Sequence, residues 1–293
     1  MKQAVLLLAH GAPERVEDIP EYLALVRGGR PTAPAIIEEV RRRYAAMGGG
    51  SPMNARTREQ AEALEARLGI PVYTGMRNWR PPIFEAIERM KAEGVERVVA
   101  IPLAPHRSEA STGLYVRRAE QARQAAGFAA ELVWTNSFYD HPLFIQALAE
   151  RLTPLLPSER VLFTAHSLPE KALEAGDPYD HETRATASLV AARCKLPRMD
   201  FAYQSQGFTS EAWLGPTVET VLDGYASEGV RDVVLQPVGF VCDNLEILYD
   251  VDVAFRGYAR ERGITLRRPE SLNASPTFIA ALAAVAEEAL CGA

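Results

Sequence analysis

Cysteine is scarce in this sequence, and the motifs built on it are absent. The three cysteines of the 293 residues, Cys194, Cys242 and Cys291, lie far apart and form no CxxC pair, which excludes a zinc ribbon and a CxxC redox motif. Three thiolates are also too few for the usual ligand set of an iron–sulfur cluster. We therefore expect no such cluster and interpret the thiols as buried or incidental.

Long apolar runs, nucleotide motifs and excess positive charge are missing as well. No segment reaches the roughly 18 apolar residues that span a bilayer, and neither a GxxxxGK[ST] loop nor a GxSxG elbow occurs. The formal net charge of -6 argues against a nucleic-acid partner. The apolar start of the chain stops at His10, so we interpret it as a buried strand rather than a signal peptide. These features predict a cytoplasmic monomer without a transmembrane segment.

Short apolar runs alternate with amphipathic helical stretches along the whole chain. This alternation predicts βαβ units and parallel sheets, and so an α/β fold. The predicted helices include Ala33–Met47, Ala55–Leu68 and Phe84–Glu93. The predicted strands are Gln3–Ala9, Pro71–Met76, Arg97–Leu103, Glu131–Asn136, Arg160–Ala165, Asp200–Gln204, Asp232–Val238 and Thr265–Arg268.

The two halves of the sequence resemble each other. The strand Val5–Ala9 runs into His10-Gly11, and the strand Val161–Ala165 runs into His166-Ser167. The segments 95–103 and 230–238 are a second matching pair, each preceded by a helix that begins near a proline. We infer two similar α/β domains, at 1–140 and 158–270, and a helix at 275–291 that packs back across them. Ligands of open parallel sheets bind at the carboxyl ends of the strands, so His10 and His166 are expected on opposite walls of one cleft.

An acidic segment follows the strand that ends near Val238. If the chain is helical from Asn244 onward, Glu246 and Asp250 share one helix face, and Asp243 lies near the helix start. One interpretation is a solvated acidic face with a capping aspartate. The other is a ladder of carboxylates that enters the cleft beside His166, where imidazole and carboxylate suit a divalent metal and proton transfer. Spacing alone leaves both interpretations open.

Several ordered motifs make the whole chain similar to the ferrochelatases, class II chelatases that metallate porphyrins without ATP. Any one motif is weak, but the ordered set is specific. The motifs are Gly48-Gly49-Gly50-Ser51-Pro52, Ser111-Thr112-Gly113-Leu114-Tyr115, Ala165-His166-Ser167-Leu168-Pro169, Gly176-Asp177-Pro178-Tyr179, Tyr203-Gln204-Ser205, Trp213-Leu214-Gly215-Pro216, and Pro237-Val238-Gly239-Phe240-Val241 with Glu246.

The resemblance implies two Rossmann-like domains with a porphyrin between them. It implies that His166 is the catalytic histidine, that Glu246 is its acidic partner, and that Tyr44 and the glycine-rich stretch line the porphyrin mouth. The family usually has a histidine at the position of Asn244, so a proton or metal relay is expected to move to Asp243 or Asp250.

The segment 22–47 looks most like the coproporphyrin III branch of the family. Coproporphyrin carries four propionates and protoporphyrin two, and guanidinium groups pair bidentately with carboxylates. Arg27 and Arg43 are therefore propionate candidates, with Ser51 and Tyr115 as hydrogen-bond donors. The alternative is that 41–43 form a solvated helix face. Members of this branch often carry a tyrosine where this chain has His10, and an imidazole there is able to ligate iron axially.

The expected activity is insertion of ferrous iron into a porphyrin, coproporphyrin III in preference to protoporphyrin IX, in haem biosynthesis. Iron, ligated by His166, Glu246 or His10, and the porphyrin are substrates, and no permanently bound cofactor is expected. Two alternatives stay open. One is a cobalt or iron chelatase acting on sirohydrochlorin, and the other is a haem-binding or haem-delivery protein that has lost turnover.

Overall fold

Two four-stranded parallel sheets form the core of the molecule. The computed structural model describes residues 1–207 and 211–291, with the backbone alone at Glu174. The first sheet has the order β2-β1-β3-β4 and the second the order β6-β5-β7-β8. The strands are β1 (Gln3–Ala9), β2 (Val72–Met76), β3 (Arg97–Pro102), β4 (Glu131–Trp134), β5 (Arg160–His166), β6 (Asp200–Gln204), β7 (Asp232–Pro237) and β8 (Thr265–Arg267).

Helices flank both sheets. Two short 3₁₀ turns, Val16–Asp18 and Thr153–Leu155, and one π-helix, Glu246–Phe255, join the regular helices. The α-helices are α1 (Ile19–Val26), α2 (Pro34–Ala46), α3 (Met53–Leu68), α4 (Ile83–Ala92), α5 (Thr112–Ala125), α6 (Pro142–Leu152), α7 (Lys171–Glu174), α8 (Tyr179–Arg193), α9 (Val218–Ser227), α10 (Arg256–Glu261) and α11 (Pro276–Cys291).

The predicted fold class is confirmed, because the two halves are Rossmann-like and have the same strand order. The eight predicted strands all occur, with ends that differ by at most two residues. In each sheet the first strand lies between the second and the third, so β1 and β5 are equivalent. This is the point where the strand order reverses, at which open α/β sheets bind their ligands.

The strands are apolar on both faces because each face is covered. In β1, Val5 and Leu7 belong to one large core that extends into the second half of the chain. Ala4, Leu6 and Leu8 belong to a separate core on the outer side of the first sheet. Near-continuous burial of this kind is typical of parallel sheets and explains why these strands lack polar alternation.

The helices α6 and α11 join the two halves. The helix α6 follows the first sheet but packs against α8 of the second half, whereas α11 follows the second sheet and packs against α3, β3 and β4 of the first. Phe144 of α6 and Phe278 of α11 contact each other inside the shared core. Burial of each such aromatic side chain contributes about 2 kcal/mol. This exchange of helices fixes the geometry of the cleft between the sheets.

Crossing a membrane requires a helix that is both long and apolar. Within residues 1–207 and 211–291, no helix meets that requirement.

Candidate active site

A cleft of about 330 Å³ opens at the carboxyl ends of the strands, with walls from both halves. His10 follows β1 on one wall, and His166 ends β5 on the other. Both histidines line this one cleft, and the effect of His166 is one of the smaller causes of the lowered pKa of His10. The structure therefore brings together the two histidines that the internal repeat singled out.

Gly11 allows the chain to turn sharply after His10. Its φ is +76°, and a Cβ atom there would lie 2.8 Å from the Cβ atoms of Met76 and Trp79. Only glycine tolerates this conformation and this close approach. The turn brings His10 against the loop after β2, where the backbone N–H of Asn78 donates to the carbonyl oxygen of His10 at 2.9 Å.

Neutral polar groups and a cation surround His10. The side-chain amide Nδ2 of Asn78 lies 3.0 Å from His10 Nε2, and the hydroxyl of Tyr22 lies 3.3 Å from Nδ1. Nδ1 also lies 3.0 Å from the carbonyl oxygen of Gly11. Burial, and then the charge of Arg77, lower the pKa of His10 to about 3. His10 is therefore a neutral imidazole at working pH.

His166 faces carboxylates instead. Its Nδ1 donates to the carbonyl oxygen of Ser167 at 2.5 Å, which leaves Nε2 to accept a proton. Burial lowers the pKa of His166, while the Ser167 carbonyl and the charge of Asp250 raise it. The hydroxyl of Tyr179 donates to the His166 carbonyl oxygen at 2.9 Å and fixes the end of the strand.

Glu246 lies in the cleft wall at the first position of the π-helix. Burial raises the pKa of Glu246, against the smaller effect of its own backbone N–H. The amide of Gln204 donates to the Glu246 carbonyl oxygen at 3.1 Å and accepts from Thr164 at 2.7 Å, so the helix start is tied to the second sheet. Asn244 caps this helix, because its side-chain oxygen accepts from the N–H of Ile247 at 3.0 Å.

Asp250 follows Glu246 along the same helix and is half-buried. Its carboxylate accepts from the hydroxyl of Ser205 at 2.5 Å and lies 3.8 Å from Arg43 Nη1. Burial raises the pKa of Asp250 to about 6; Ser205 and Arg43 oppose this rise, and the charge of Glu246 reinforces it. The residue is thus able to gain and lose a proton close to neutral pH.

Asp243 and Asp250 lie outside the cleft lining, whereas Glu246 is part of it. Asp243 accepts hydrogen bonds from Ser271 at 2.7 Å and from Asn273 Nδ2 at 2.9 Å, and Arg268 lies 4.0 Å away. These contacts fix the loop before α11. The helix predicted from Asn244 is present, but it is a π-helix from Glu246, a rare geometry that is frequent at functional sites.

The predicted porphyrin-mouth residues divide into two groups. Tyr44 and Tyr115 line the cleft and are buried. Arg27, Arg43 and Ser51 lie outside its lining. The guanidinium of Arg43 already pairs with Glu39 at 2.9 Å as well as with Asp250, whereas the buried Nε of Arg27 has no hydrogen-bond partner within the described residues.

Sequence reasoning missed three residues of the first wall. Tyr22 and Arg77 line the cleft, and Asn78 contacts His10 directly. Arg77 lies over the ring of Tyr115 at 4.8 Å and donates to the carbonyl oxygen of Ser111. Arg77 and Asn78 come directly after β2, so the strand-end rule applied to β2 as well as β1 would have found them.

This arrangement suits one wall of the cleft, and not the other, to accept protons from a bound molecule. Glu246 lines the cleft on the side of His166, with Asp250 behind it on the same helix and close enough for its charge to raise the pKa of His166, and Arg77 lines the side of His10. In residues 1–207 and 211–291, no cluster of three or more His, Cys, Asp or Glu side chains is arranged to hold a metal ion.

Known proteins share both the sequence and the fold. The ferrochelatase family model matches residues 2–290. The chain is 45% identical to the ferrochelatase of Acidobacterium capsulatum, over 99% of this chain and 95% of that protein. It is 38% identical to the coproporphyrin III ferrochelatase of Halalkalibacterium halodurans, over 99% of this chain and 97% of that one. The solved structure of SirB from Bacillus subtilis with Fe3+ has the same fold, with a TM-score of 0.66, 12% identity and coverage of 100% and 97%.

Proposed function

The chain belongs to the ferrochelatase family, whose members insert iron into a porphyrin, and we propose coproporphyrin III as its substrate, with His166 as the proton acceptor. One observation carries this proposal. The imidazole of His166 shares the cleft with Glu246, and Asp250 follows Glu246 along the same helix; burial raises the pKa values of both carboxyls. In this proposal a base and two further proton-accepting groups lie close together at the site of porphyrin metallation.

Insertion of Fe(II) into a porphyrin releases two protons from the inner pyrrole nitrogens. Burial lowers the pKa of His166, so its imidazole is unprotonated and ready to accept at neutral pH. Glu246 then accepts this proton or stabilises the positive charge of the protonated imidazole. The ring bends as the metal enters, and a cleft that fits this bent ring stabilises the transition state more than the flat substrate.

Protons leave the cleft along the π-helix in this proposal. Glu246 and Asp250 lie about one helical turn apart, and Asp250 contacts Ser205 and Arg43. A pKa of about 6 lets Asp250 accept a proton from the cleft and release it. The hydrogen bonds of Asp243 are directed at the loop before α11, so we place the relay at Asp250 alone.

We propose His10 as an axial ligand of iron in the metallated product. A neutral imidazole is a good ligand for iron, and burial keeps His10 neutral. Iron and porphyrin act as substrates in this scheme, and no permanently bound cofactor takes part.

The preference for coproporphyrin rests on the cleft mouth and on the relatives. Arg27, at the end of α1, has a buried Nε without a partner within the described residues and is our candidate for pairing with a propionate. Arg43 is the weaker candidate because it pairs with Glu39 and Asp250. Tyr44 and Tyr115 line the cleft, and Ser51, seven residues after Tyr44 in the sequence, is buried.

The test is anaerobic Fe(II) insertion into coproporphyrin III and protoporphyrin IX, side by side, followed by absorption. We expect faster turnover of coproporphyrin III, with the difference reduced in Arg27→Leu. Faster turnover of protoporphyrin would overturn the coproporphyrin preference. Cobalt insertion into sirohydrochlorin without activity on either porphyrin would favour a sirohydrochlorin chelatase. Tight haem binding without any insertion would favour a haem-binding protein.

A further inference from the structure

Both ring nitrogens of His10 are engaged within the protein. Nδ1 lies 3.0 Å from the carbonyl oxygen of Gly11, and Nε2 lies 3.0 Å from the amide nitrogen of Asn78. A carbonyl oxygen only accepts, so Nδ1 carries the hydrogen, and an amide nitrogen only donates, so Nε2 is the acceptor. The lone pair of Nε2, which a metal would need, is therefore directed at Asn78.

The backbone holds Asn78 in this position. The N–H of Asn78 donates to the carbonyl oxygen of His10 at 2.9 Å, and the N–H of Arg77 donates to that of Ala9 at 2.9 Å. Trp79, the next residue, packs with Met76 and Ala9. Asn78 itself is only 8% exposed. Its amide thus has little freedom to leave His10, and removing the amide leaves the backbone pairing in place.

We propose that Asn78 is a positioning residue that competes with iron for Nε2 of His10 and thereby limits how tightly the metallated porphyrin is held. This inference rests on the proposed function, since it takes iron porphyrin as the product. The Asn78 amide and the iron need the same lone pair of Nε2, so a bond to iron requires the Asn78 hydrogen bond to break. The cost of breaking it weakens the grip on the product and favours its release.

The arrangement also separates the two histidines during metal entry. With Nε2 of His10 occupied, incoming Fe(II) meets available imidazole and carboxylate ligands on the opposite wall, at His166 and Glu246. His10 becomes available only when the iron of a seated porphyrin pulls it from Asn78.

The test compares Asn78→Leu, which has similar volume and no donor, with the unmodified protein. Each is titrated anaerobically with iron(II) coproporphyrin III, with affinity and absorption recorded, and its single-turnover and steady-state insertion rates are measured. We expect Asn78→Leu to bind the product about fivefold more tightly, the typical effect of one hydrogen bond. Its Soret band should shift, and steady-state turnover should fall while single-turnover insertion is retained.

The double variant Asn78→Leu, His10→Phe is the control. The gain in affinity and the spectral shift must vanish when His10 is absent, because they arise from its Nε2. Unchanged affinity and spectrum in Asn78→Leu, or the same changes in the His10→Phe background, would overturn the inference. If the leucine variant does not fold, Asn78→Ala removes the same donor without adding bulk.

Failure of the proposed function gives a different result. It would appear as no iron insertion by the unmodified protein, whereas failure of the inference would appear in the titration with added product, in a protein that inserts iron normally.

Discussion

The two halves of the molecule have one topology and one histidine at the equivalent strand end, yet they place those histidines in opposite surroundings. His10 meets the amide of Asn78, the hydroxyl of Tyr22 and the charge of Arg77. His166 meets a backbone carbonyl and the charge of Asp250, both of which favour its protonated form. The repeat thus provides two imidazoles, and their neighbours decide which of them takes a proton.

The difference comes from the loops and helices around the strand ends and not from the strands. In the first half Arg77 and Asn78 come from the loop after β2, and Tyr22 comes from α1. In the second half the carbonyl of Ser167 follows β5 directly, and Asp250 comes from the π-helix after β7, which begins at Glu246. A cleft with a cation on one wall and carboxylates on the other directs positive charge one way, so we expect protons to leave by the second wall.

Replacing each of the two histidines in turn should reveal the largest difference in insertion rate between the two walls. We expect His166→Ala to lower iron insertion by about 10²–10⁴-fold, the usual contribution of a positioned base, while porphyrin still binds. His10→Phe should retain most of the single-turnover rate, because the first wall accepts no proton. Single-turnover absorption measurements check both. Near-normal insertion by His166→Ala, or equal losses in the two variants, would end the assignment.

The carboxylates of the second wall should differ among themselves. We expect Glu246→Gln to lower turnover by about 100-fold, because an amide keeps the shape but takes up no proton. Asp243→Asn is the matched control from the same segment, and its turnover per folded molecule should stay within about threefold, since its partners are Ser271 and Asn273. Equal losses in both variants would return Asp243 to the relay.

The sequence was sufficient for the fold and for the residues placed by strand periodicity. His10 and His166 were found because each follows an apolar strand, and their position follows from parallel-sheet geometry alone. Glu246 was found through the family resemblance and the acidic segment. In each case one local element places the residue.

The sequence was insufficient where a residue depends on a partner distant in the chain. Arg43 is a predicted propionate ligand, and the sequence does not show that it also pairs with Asp250, more than two hundred residues away. Asp243 looked like a member of the acidic ladder, but the loop before α11 holds it. No sequence pattern indicates a role for Asn78, because an asparagine after a strand is ordinary. Only the turn at Gly11 gives it a role. Helical spacing also does not distinguish a π-helix from an α-helix.

The free energy of unfolding of the protein should depend on pH through Asp250, on the side of His166. The pKa of Asp250 rises from 3.8 to about 6 on folding, so its ionisation destabilises the folded protein as pH rises through this interval. Asp250→Asn should therefore be more stable than the unmodified protein by about 3 kcal/mol well above pH 6, since each pKa unit corresponds to about 1.4 kcal/mol. The gain should vanish below pH 4. Urea unfolding at pH 8 and at pH 4 checks this, and an equal gain at both would show that charge burial is not its cause.

The smallest effect should come from changing the ligand on the first wall. In His10→Tyr a phenol oxygen replaces the imidazole nitrogen, so we expect the absorption spectrum of the bound product to change while the single-turnover insertion rate stays within about threefold. Burial raises the pKa of a tyrosine, which keeps the phenol protonated and makes it a weaker ligand than imidazole. The product should accordingly leave His10→Tyr faster than it leaves the unmodified protein. An identical product spectrum would mean that residue 10 never reaches the iron, and the two walls would then differ in proton acceptance alone.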